Sequence, residues 1–218
     1  NNLPLVSIII PTYNRLKFFK MAFESAYHQT YSNIEIIVSD NSTNEDTARY
    51  MANFKDSSKV IYLRNSHIKS KEDNFLATQE YVHGEYLNWL MDDDCIKFDK
   101  IEKMMKYFLS DKSIALVTSK RALINEENKI LPDFRATVAY CKKDAIFNEG
   151  SVVGKELLTS MCNFIGEPST VLFRKCGLGE ENYFKAAYKG YRRISDIVMW
   201  LDLLKYGKFV YLADELSA

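Results

Sequence analysis

The sequence predicts an α/β fold with a mostly parallel central sheet, helices on both faces and a single domain. Along the first two-thirds of the chain, short β-branched apolar runs alternate with segments in which apolar residues recur at helical spacing. Such alternation is typical of parallel strands joined by helices. The length of 218 residues fits one large α/β domain, and no linker, internal repeat or low-complexity segment divides it.

The strands are predicted from apolar runs rich in Ile, Val, Leu and aromatic residues. In chain order they cover residues 5–10, 34–39, 60–63, 86–91, 114–119, 169–173 and 209–212. The first run is almost continuously apolar, as expected of a strand that is buried on both faces. We expect Pro11 to end this strand, because proline has no backbone N–H to donate.

Helices are predicted where apolar residues recur every three or four positions. They cover residues 15–28, about 42–55, 70–83, a segment around 101–108, and 194–206. Ser42 and Glu45 fit a capping box at the start of the second helix, and Gly84 is expected to close the third as a C-cap. The pattern weakens over 121–153, where we expect an irregular or edge-hairpin region.

Charge and cysteine content argue against several classes of protein. Lys and Arg equal Asp and Glu, at 29 each, which disfavours a dedicated nucleic-acid binder. The four Cys residues form no CxxC pair, so free thiols in a reducing cytoplasm are a simpler interpretation than zinc or disulfides. No apolar stretch approaches the roughly 20 residues that span a bilayer. We expect a soluble, cytoplasmic chain, and a place at the cytoplasmic face of the membrane stays open.

Three consecutive carboxylates, Asp92, Asp93 and Asp94, follow the apolar run at 86–91. Like charges at the rim of a sheet repel one another unless a cation neutralises them. Carboxylate oxygens suit Mg²⁺ or Mn²⁺, which typically take one or two protein carboxylates and add phosphate and water. We therefore interpret the segment as a metal–diphosphate site. The alternative is a solvated acidic turn that begins the next helix.

Three polar segments stand at predicted carboxyl ends of strands, at residues 11–15, 40–42 and 92–94. In parallel α/β sheets, ligands bind in the crevice outside those ends. We therefore expect the three segments to line one crevice, although they are distant in sequence.

Several short motifs follow one another between residues 5 and 212. They are VSIIIPTYNR at 6–15, IIVSDNS at 36–42, Asn74 with GEY at 84–86, LMDDD at 90–94, EPS at 167–169 with FRK at 173–175, and Ser195-Asp196. In residues and order they resemble the family 2 glycosyltransferases of the GT-A fold. The resemblance implies one GT-A (Rossmann-like) domain over 1–218. Its nucleotide-binding part would cover about 1–120 and its acceptor-binding part about 121–218, and the native chain could continue past Ala218.

The resemblance also implies a nucleotide site. The loop over the base would consist of Pro11, Thr12, Tyr13, Asn14 and Arg15. Tyr13 would stack on the base, which is worth roughly 1–3 kcal/mol, unless it is an ordinary surface turn residue. Asp40 would accept a hydrogen bond from the imide N–H of uracil, which favours uridine or thymidine over cytidine; the alternative for Asp40 is a helix N-cap. Asn74 would contact base or ribose, although Asn is also common on a solvated helix face.

In the family that the sequence resembles, the last Asp of the acidic segment holds the metal. Asp94 is accordingly the expected ligand of Mn²⁺ or Mg²⁺, with Asp92 as the second candidate. Asp92 and Asp93 would contact the ribose or hold water on the metal. Many relatives have a further Asp where Met91 stands. The sequence departs from that pattern but keeps an Asp-x-Asp at 92 and 94.

Asp196 is the catalytic residue that the resemblance implies. Inverting relatives have at this position the acidic residue that removes the proton of the acceptor hydroxyl, although the usual preceding Glu is Ser195 here. An ordinary Asp in a first helical turn is the structural alternative. Asp202 is a second candidate base, but six residues further on it points to another helix face. Glu167 is expected to contact the acceptor or the donor sugar.

The implied function is that of a metal-dependent inverting glycosyltransferase, of the hexosyl- or N-acetylhexosaminyltransferase class. Its donor would be a nucleotide-diphosphate sugar, with UDP favoured, and its acceptor a hydroxyl of a saccharide or lipid-linked molecule in surface polysaccharide synthesis. Two alternatives stay open: a catalytically inactive transferase-like module that binds UDP, and a nucleotidyltransferase. Nucleotidyltransferases usually have a Gly-rich basic loop after the first strand, whereas residues 11–15 contain no glycine.

Overall fold

Ten strands and six α-helices are found in the residues that the computed structural model describes, which are 3–134, 137–175 and 195–218. The strands are β1 (Val6–Thr12), β2 (Ile34–Asp40), β3 (Val60–Arg64), β4 (Tyr86–Trp89), β5 (Ile114–Arg121), β6 (Leu123–Ile124), β7 (Ile130–Leu131), β8 (Ala145–Phe147), β9 (Leu172–Arg174) and β10 (Lys208–Ser217). The helices are α1 (Leu16–Tyr27), α2 (Asp46–Met51), α3 (Lys71–Leu76), α4 (Lys100–Ser110), α5 (Gly150–Ser160) and α6 (Ser195–Leu203).

The main sheet has eight strands in the order β3-β2-β1-β4-β9-β5-β10-β8. Strand β1 pairs in parallel with β2 and β4, β2 with β3, and β5 with β10. Only β9 and β8 run antiparallel to the neighbours they pair with in this sheet, as far as the described residues show. The prediction of a mostly parallel sheet with flanking helices is therefore confirmed.

Two hydrophobic clusters cover the two faces of the sheet. Successive side chains of a strand point to opposite faces. Accordingly, Ile8 and Ile10 of β1 pack in one cluster with Phe19 of α1, and Ile9 packs in the other with Trp200 of α6. All seven residues of β1 are buried, as its continuous apolar run predicts.

Strand β1 continues through Pro11, so the prediction that Pro11 ends it was wrong. Pro11 is the register partner of Ser39 in β2, whereas the pairing of β1 with β4 ends at Ile9. Near Pro11 the strand has a neighbour on one side only, and a residue without N–H is tolerated there. The strand therefore extends as far as Thr12.

The predicted capping box at the second helix was also wrong. Helix α2 begins at Asp46, and no side chain caps its N-terminus. The Ser42 hydroxyl instead accepts a hydrogen bond from the backbone N–H of Asn14 at 2.8 Å. Ser42 thus joins two loops at the carboxyl edge of the sheet.

The third predicted helix is divided into two short pieces. Ser70 caps α3 by accepting from the backbone N–H of Asp73, and a 3₁₀ turn, Gln79–Tyr81, follows the helix. Gly84 is not its C-cap, because it lacks the positive φ of that position. A Cβ added to Gly84 would lie 2.4 Å from Ser7 Oγ, so close packing against β1 explains the glycine.

The second half of the chain differs most from the prediction. Between residues 121 and 153, the described residues include the small β6–β7 hairpin and the edge strand β8, in agreement with an edge-hairpin region. Helix α5, which begins at Gly150, was not predicted. The run at 169–173 is a 3₁₀ turn, Pro168–Thr170, followed by β9. Helix α6 confirms a helix within the predicted 194–206, but it ends at Leu203, and Ile194 lies outside the described residues. Within the described ranges, no helix is both long and apolar enough to cross a membrane.

Candidate active site

The carboxyl ends of β1, β2 and β4 lie side by side, so the three segments that were expected to share a crevice meet there. Strands β1 and β2 stay in register up to Thr12 and Asp40. The Thr12 hydroxyl then donates to Asp92 Oδ2 at 2.9 Å, across 80 residues of sequence. The loop after β1 and the acidic segment after β4 are thus joined directly.

Asn14 fastens the loop after β1 to the loop after β2. Its φ of 53° is left-handed, a conformation that Asn adopts more readily than most residues. Besides its backbone bond to Ser42, Asn14 accepts from the backbone N–H of Thr43 at 2.9 Å through Oδ1. Pro11 is buried in β1, whereas Tyr13 is 51% exposed. The Tyr13 ring is therefore accessible to a ligand at the rim of the crevice.

Arg15 pairs with two of the three consecutive carboxylates. Its Nη1 lies 3.1 Å from Asp92 Oδ1, and its Nη2 lies 2.6 Å from Asp93 Oδ2. Burial raises the pKa of Asp92, although the Thr12 hydroxyl and the Arg15 charge oppose that shift. The pair with Asp93 is exposed, and such pairs are individually weak. The Arg15 guanidinium could therefore leave the Asp93 carboxylate and bind a phosphate oxygen of a ligand at little cost.

Asp94 has one carboxylate oxygen held by the protein and one oxygen without a donor among the described residues. The Ser169 hydroxyl donates to Asp94 Oδ2. Burial, opposed by that hydrogen bond and reinforced by the charge of Asp93, raises the pKa of Asp94 to about 6. A desolvated carboxylate beside another carboxylate favours a neighbouring cation.

Asp40 is fully buried, and three donors from the protein occupy its carboxylate. The backbone N–H of Ser42 donates to Oδ1 at 2.8 Å. The Tyr62 hydroxyl and Arg64 Nη1 donate to Oδ2 at 2.6 and 3.0 Å. The carboxylate therefore fastens the end of β2 to β3. Its expected contact with the uracil imide stays a prediction.

Asn74 is buried between α3 and β2. Its amide donates to the carbonyl oxygen of Ser39 at 2.9 Å and accepts from the Ser39 hydroxyl at 2.9 Å. Both ends of the amide are thus used to attach α3 to the sheet. A contact of Asn74 with base or ribose likewise stays a prediction.

Asp196, the predicted base, lies in the first turn of α6. Asn163 Nδ2 is 3.3 Å from Asp196 Oδ2. Burial raises the pKa of Asp196, and the negative charge of Glu167 acts in the same direction, while backbone N–H groups of the helix start oppose it. A carboxyl group with a raised pKa is a stronger base. The alternative base Asp202 lies 2.6 Å from Lys205 Nζ.

Arg121 is a site residue that the sequence reasoning missed. Its Nε lies 2.5 Å from Glu167 Oε2, and its Nη2 donates to the carbonyl oxygen of Asn163 at 3.0 Å. Arg121 thereby links Glu167 to the residue that contacts Asp196. The available indication was its position, directly after the predicted strand at 114–119 and so at the carboxyl edge of the sheet.

A cavity of about 450 Å³ opens between the start of α1, the acidic segment, the β6–β7 hairpin and the Pro168–Thr170 turn. This volume is in the range of small-molecule sites. Its charged lining residues are Arg15, Asp93, Asp94, Arg121, Glu126 and Glu167. The predicted site residues that line it are Arg15, Asp93 and Asp94. The predicted site residues that do not line it are Pro11, Thr12, Tyr13, Asn14, Asp40, Asn74, Asp92 and Asp196.

The carboxylates fit a divalent ion only if a ligand supplies further oxygens. Across residues 3–134, 137–175 and 195–218, no group of three His, Cys, Asp or Glu side chains could hold a metal alone. Mg²⁺ is commonly bound by one or two carboxylates together with phosphate oxygens and water. Asp94 lines the cavity and has one oxygen without a donor among the described residues. Asp92 does not line the cavity, and its two oxygens are engaged by Thr12 and Arg15. The expected metal site at Asp94 and Asp92 therefore stays a prediction.

A mostly parallel α/β sheet with carboxylates after β4, beside a cavity of this size, is the arrangement expected of the GT-A fold. The chain belongs to glycosyl transferase family 2, because its residues 7–159 match the sequence model of that family. It is 30% identical over 181 residues to an uncharacterised glycosyltransferase of Rickettsia typhi, covering 82% of this chain and 54% of that protein. The chain thus spans about half the length of this relative.

Another relative has a named reaction. The GalNAc(5)-diNAcBac-PP-undecaprenol beta-1,3-glucosyltransferase of Campylobacter jejuni is 26% identical over 209 residues, covering 95% of this chain and 62% of that protein. Among solved structures, S. aureus TarS 1-349 in complex with UDP-GlcNAc aligns with a TM-score of 0.63 at 15% identity. That alignment covers 97% of this chain and 57% of TarS, and it shows a shared fold.

Proposed function

We propose that this glycosyltransferase transfers a hexose or N-acetylhexosamine from a UDP-sugar to a hydroxyl of a lipid-linked saccharide, with inversion at the anomeric carbon. The observation on which the proposal mainly depends is Asp94, a partly buried residue at a cavity of about 450 Å³, one of whose carboxylate oxygens has no donor among the described residues. The Campylobacter relative is named for glucosyl transfer to an undecaprenol-linked saccharide. Such an acceptor would place this protein at the cytoplasmic face of a membrane, in surface polysaccharide synthesis.

In this proposal, the first part of the chain, at about 1–120, binds the nucleotide. Tyr13 stacks on the base, and the loop that Asn14 fastens keeps the tyrosine at the rim of the crevice. Asp40 faces the uracil imide, for which the Tyr62 hydroxyl would have to turn away. Thr12 holds the acidic segment through Asp92, and Arg15 holds it through Asp93, beside the ribose and the phosphates.

Asp94, with Asp92 as second ligand, would hold Mn²⁺ or Mg²⁺ together with the donor diphosphate. The ion would neutralise charge on the departing diphosphate. Arg15 is close enough to the same carboxylates to add a positive charge to the phosphates. Because two carboxylates suffice only when phosphate completes the coordination, metal and UDP should bind together.

The acceptor-binding part, at about 121–218, would provide the base. Asp196 removes the proton of the acceptor hydroxyl as its oxygen attacks the anomeric carbon, with the diphosphate leaving from the opposite side. Asn163 orients the Asp196 carboxylate. Glu167, held by Arg121 at the cavity, would contact hydroxyl groups of the donor sugar or the acceptor.

The experiment that tests this proposal is calorimetric binding of UDP with and without Mn²⁺. We expect binding that depends on Mn²⁺ and is lost in Asp94→Asn, because an amide is a weaker ligand than a carboxylate. Asp56→Asn is the matched control, since Asp56 is exposed and lies outside the carboxyl edge. Binding of UDP by the Asp94 variant with native metal dependence would refute the metal site.

A product assay then separates the proposal from its alternatives. With a UDP-sugar and an acceptor, release of UDP indicates sugar transfer. With UTP and a sugar phosphate instead, release of pyrophosphate indicates nucleotidyl transfer. Binding of UDP without turnover of any donor would instead favour an inactive transferase-like module.

A further inference from the structure

Lys100 is a lysine with no exposed surface, in the first turn of α4. An ammonium group removed from water is costly, and the positive end of a helix dipole adds to that cost. Burial lowers the pKa of Lys100 to about 7, and only the negative charge of Asp94 opposes the shift. An apolar residue would fill the same place at a lower cost in stability. The lysine therefore requires an explanation other than packing.

The ammonium group of Lys100 contacts the segment that supports Asp94. Among the described residues, its one hydrogen-bond acceptor is the carbonyl oxygen of Ser169. Asn88 Nδ2 donates to the same oxygen at 3.1 Å. Two buried donors from different elements thus fix the backbone of Ser169.

The side chain of Ser169 forms hydrogen bonds with the acidic segment and the residue before it. Its hydroxyl accepts from the backbone N–H of Met91 at 2.9 Å and donates to Asp94 Oδ2. One serine, 75 residues away in sequence from Asp94, therefore holds both the start of the acidic segment and one carboxylate oxygen. The other oxygen of Asp94 is left for a ligand.

We propose that Lys100 and Ser169 are positioning residues for Asp94, which aim its free oxygen at the metal–diphosphate position. Lys100 fixes the Ser169 carbonyl, and Ser169 orients the Asp94 carboxylate. The inference rests on the proposed function, because it gives Asp94 the role of metal ligand. Neither residue contacts the substrate in this account, so both act through Asp94.

The test compares Lys100→Met and Ser169→Ala with the native chain, using the Mn²⁺ concentration that gives half-maximal UDP binding in calorimetry. Residues that orient a metal ligand typically contribute 10–100-fold in metal affinity. We expect both variants to need at least about tenfold more Mn²⁺. Ser169→Thr keeps the hydroxyl and should restore most of the affinity. Lys103→Met, on the same helix at a partly exposed ion pair, should leave it unchanged.

Thermal unfolding provides the second measurement. Because the buried ammonium opposes folding, we expect Lys100→Met to unfold at the same or a higher temperature while its Mn²⁺-dependent UDP binding weakens. A merely structural lysine would give the reverse: lower stability with native metal dependence, which would overturn the inference. If Lys100→Met does not fold, the Ser169→Ala and Ser169→Thr pair decides.

Asp94→Asn separates failure of this inference from failure of the proposed function. If Asp94→Asn keeps native metal-dependent binding, the metal site itself is wrong and the inference falls with it. If Asp94→Asn loses binding while both Lys100→Met and Ser169→Ala keep the native Mn²⁺ requirement, only the positioning role is wrong.

Discussion

Thr12 Oγ1 donates to Asp92 Oδ2 at 2.9 Å, a bond between the ends of β1 and β4 at a point where these strands no longer pair. Backbone pairing of the two strands stops at Ile9. Beyond it, the two segments are joined by this bond, by the ion pairs of Arg15 and by a hydrogen bond from the backbone of Tyr13 to the Asp92 carboxylate. The nucleotide loop and the proposed metal segment are thus held together by side chains that a ligand would also contact.

Replacement of Thr12 by Val should weaken UDP binding without unfolding the protein. The change keeps the shape of a buried side chain but removes the hydroxyl that donates to Asp92. A hydrogen bond to a charged group contributes about 1.5–3 kcal/mol, so we expect roughly a tenfold or greater loss of Mn²⁺-dependent UDP affinity. The measurement is calorimetry, with Thr12→Ser as the control that keeps the hydroxyl. Equal affinity of the Val and Ser variants would contradict this role.

Replacement of Arg15 by Gln should have opposite effects on two ligands. Loss of the guanidinium removes a phosphate partner, so UDP affinity should fall by about tenfold. It also leaves Asp92 and Asp93 without their cation, so Mn²⁺ should bind the UDP complex of the variant more tightly than that of the native chain. Both affinities can be measured by calorimetry. Arg49→Gln is the control, because Arg49 forms an exposed ion pair within α2. If Arg15→Gln instead lowered the affinity for both UDP and Mn²⁺, Arg15 would not change partners between the carboxylates and a phosphate.

The Gly84→Ala variant should be destabilised, because the added Cβ meets β1. It would lie 2.4 Å from Ser7 Oγ and 2.6 Å from the Ser7 backbone nitrogen, and backbone in a sheet cannot easily move. Overpacking of this kind costs typically 1–3 kcal/mol, which urea unfolding can measure. Gly154→Ala is the control, since its nearest neighbour is a flexible Leu201 methyl at 3.2 Å within a helix that favours Ala. Equal stability of the two variants would contradict the close approach at Gly84.

The parallel half of the fold could be predicted because its elements are local and strongly patterned. Strands β1 to β5 were each expected from their apolar runs, and the crevice followed from the rule that ligands bind at their carboxyl ends. The misses have non-local causes. Pro11 stays within β1 because of where β4 stops pairing, and Gly84 is required by the backbone of Ser7. Neither cause can be read from the neighbouring residues in sequence.

The candidate site could be predicted as a set of residue types but not as a network. Thr12, Arg15 and the acidic segment were expected at one place, and the structure brings them together. Lys100 was missed, although it precedes Met104 by four residues and so stands on the apolar face of α4, where a charge is unusual. Its contact with Ser169 joins segments 69 residues apart, which helical periodicity cannot reveal.

Replacement of Asp196 by Asn should reduce kcat by about 10²–10⁴-fold and leave UDP affinity unchanged, because Asp196 is the proposed base and does not line the cavity. A base must be deprotonated to act, so kcat of the native enzyme should fall as the pH drops through the pKa of Asp196. Burial raises that pKa, so the fall should occur at a higher pH than for a solvated Asp, whose pKa is about 3.9. The decrease in kcat at low pH is measured from the pH profile of kcat with saturating donor. The Asn variant should not show this decrease. Asp202→Asn, six residues further along the same helix, is the control and should keep both kcat and its decrease at low pH. A loss in that variant instead would make Asp202 the base.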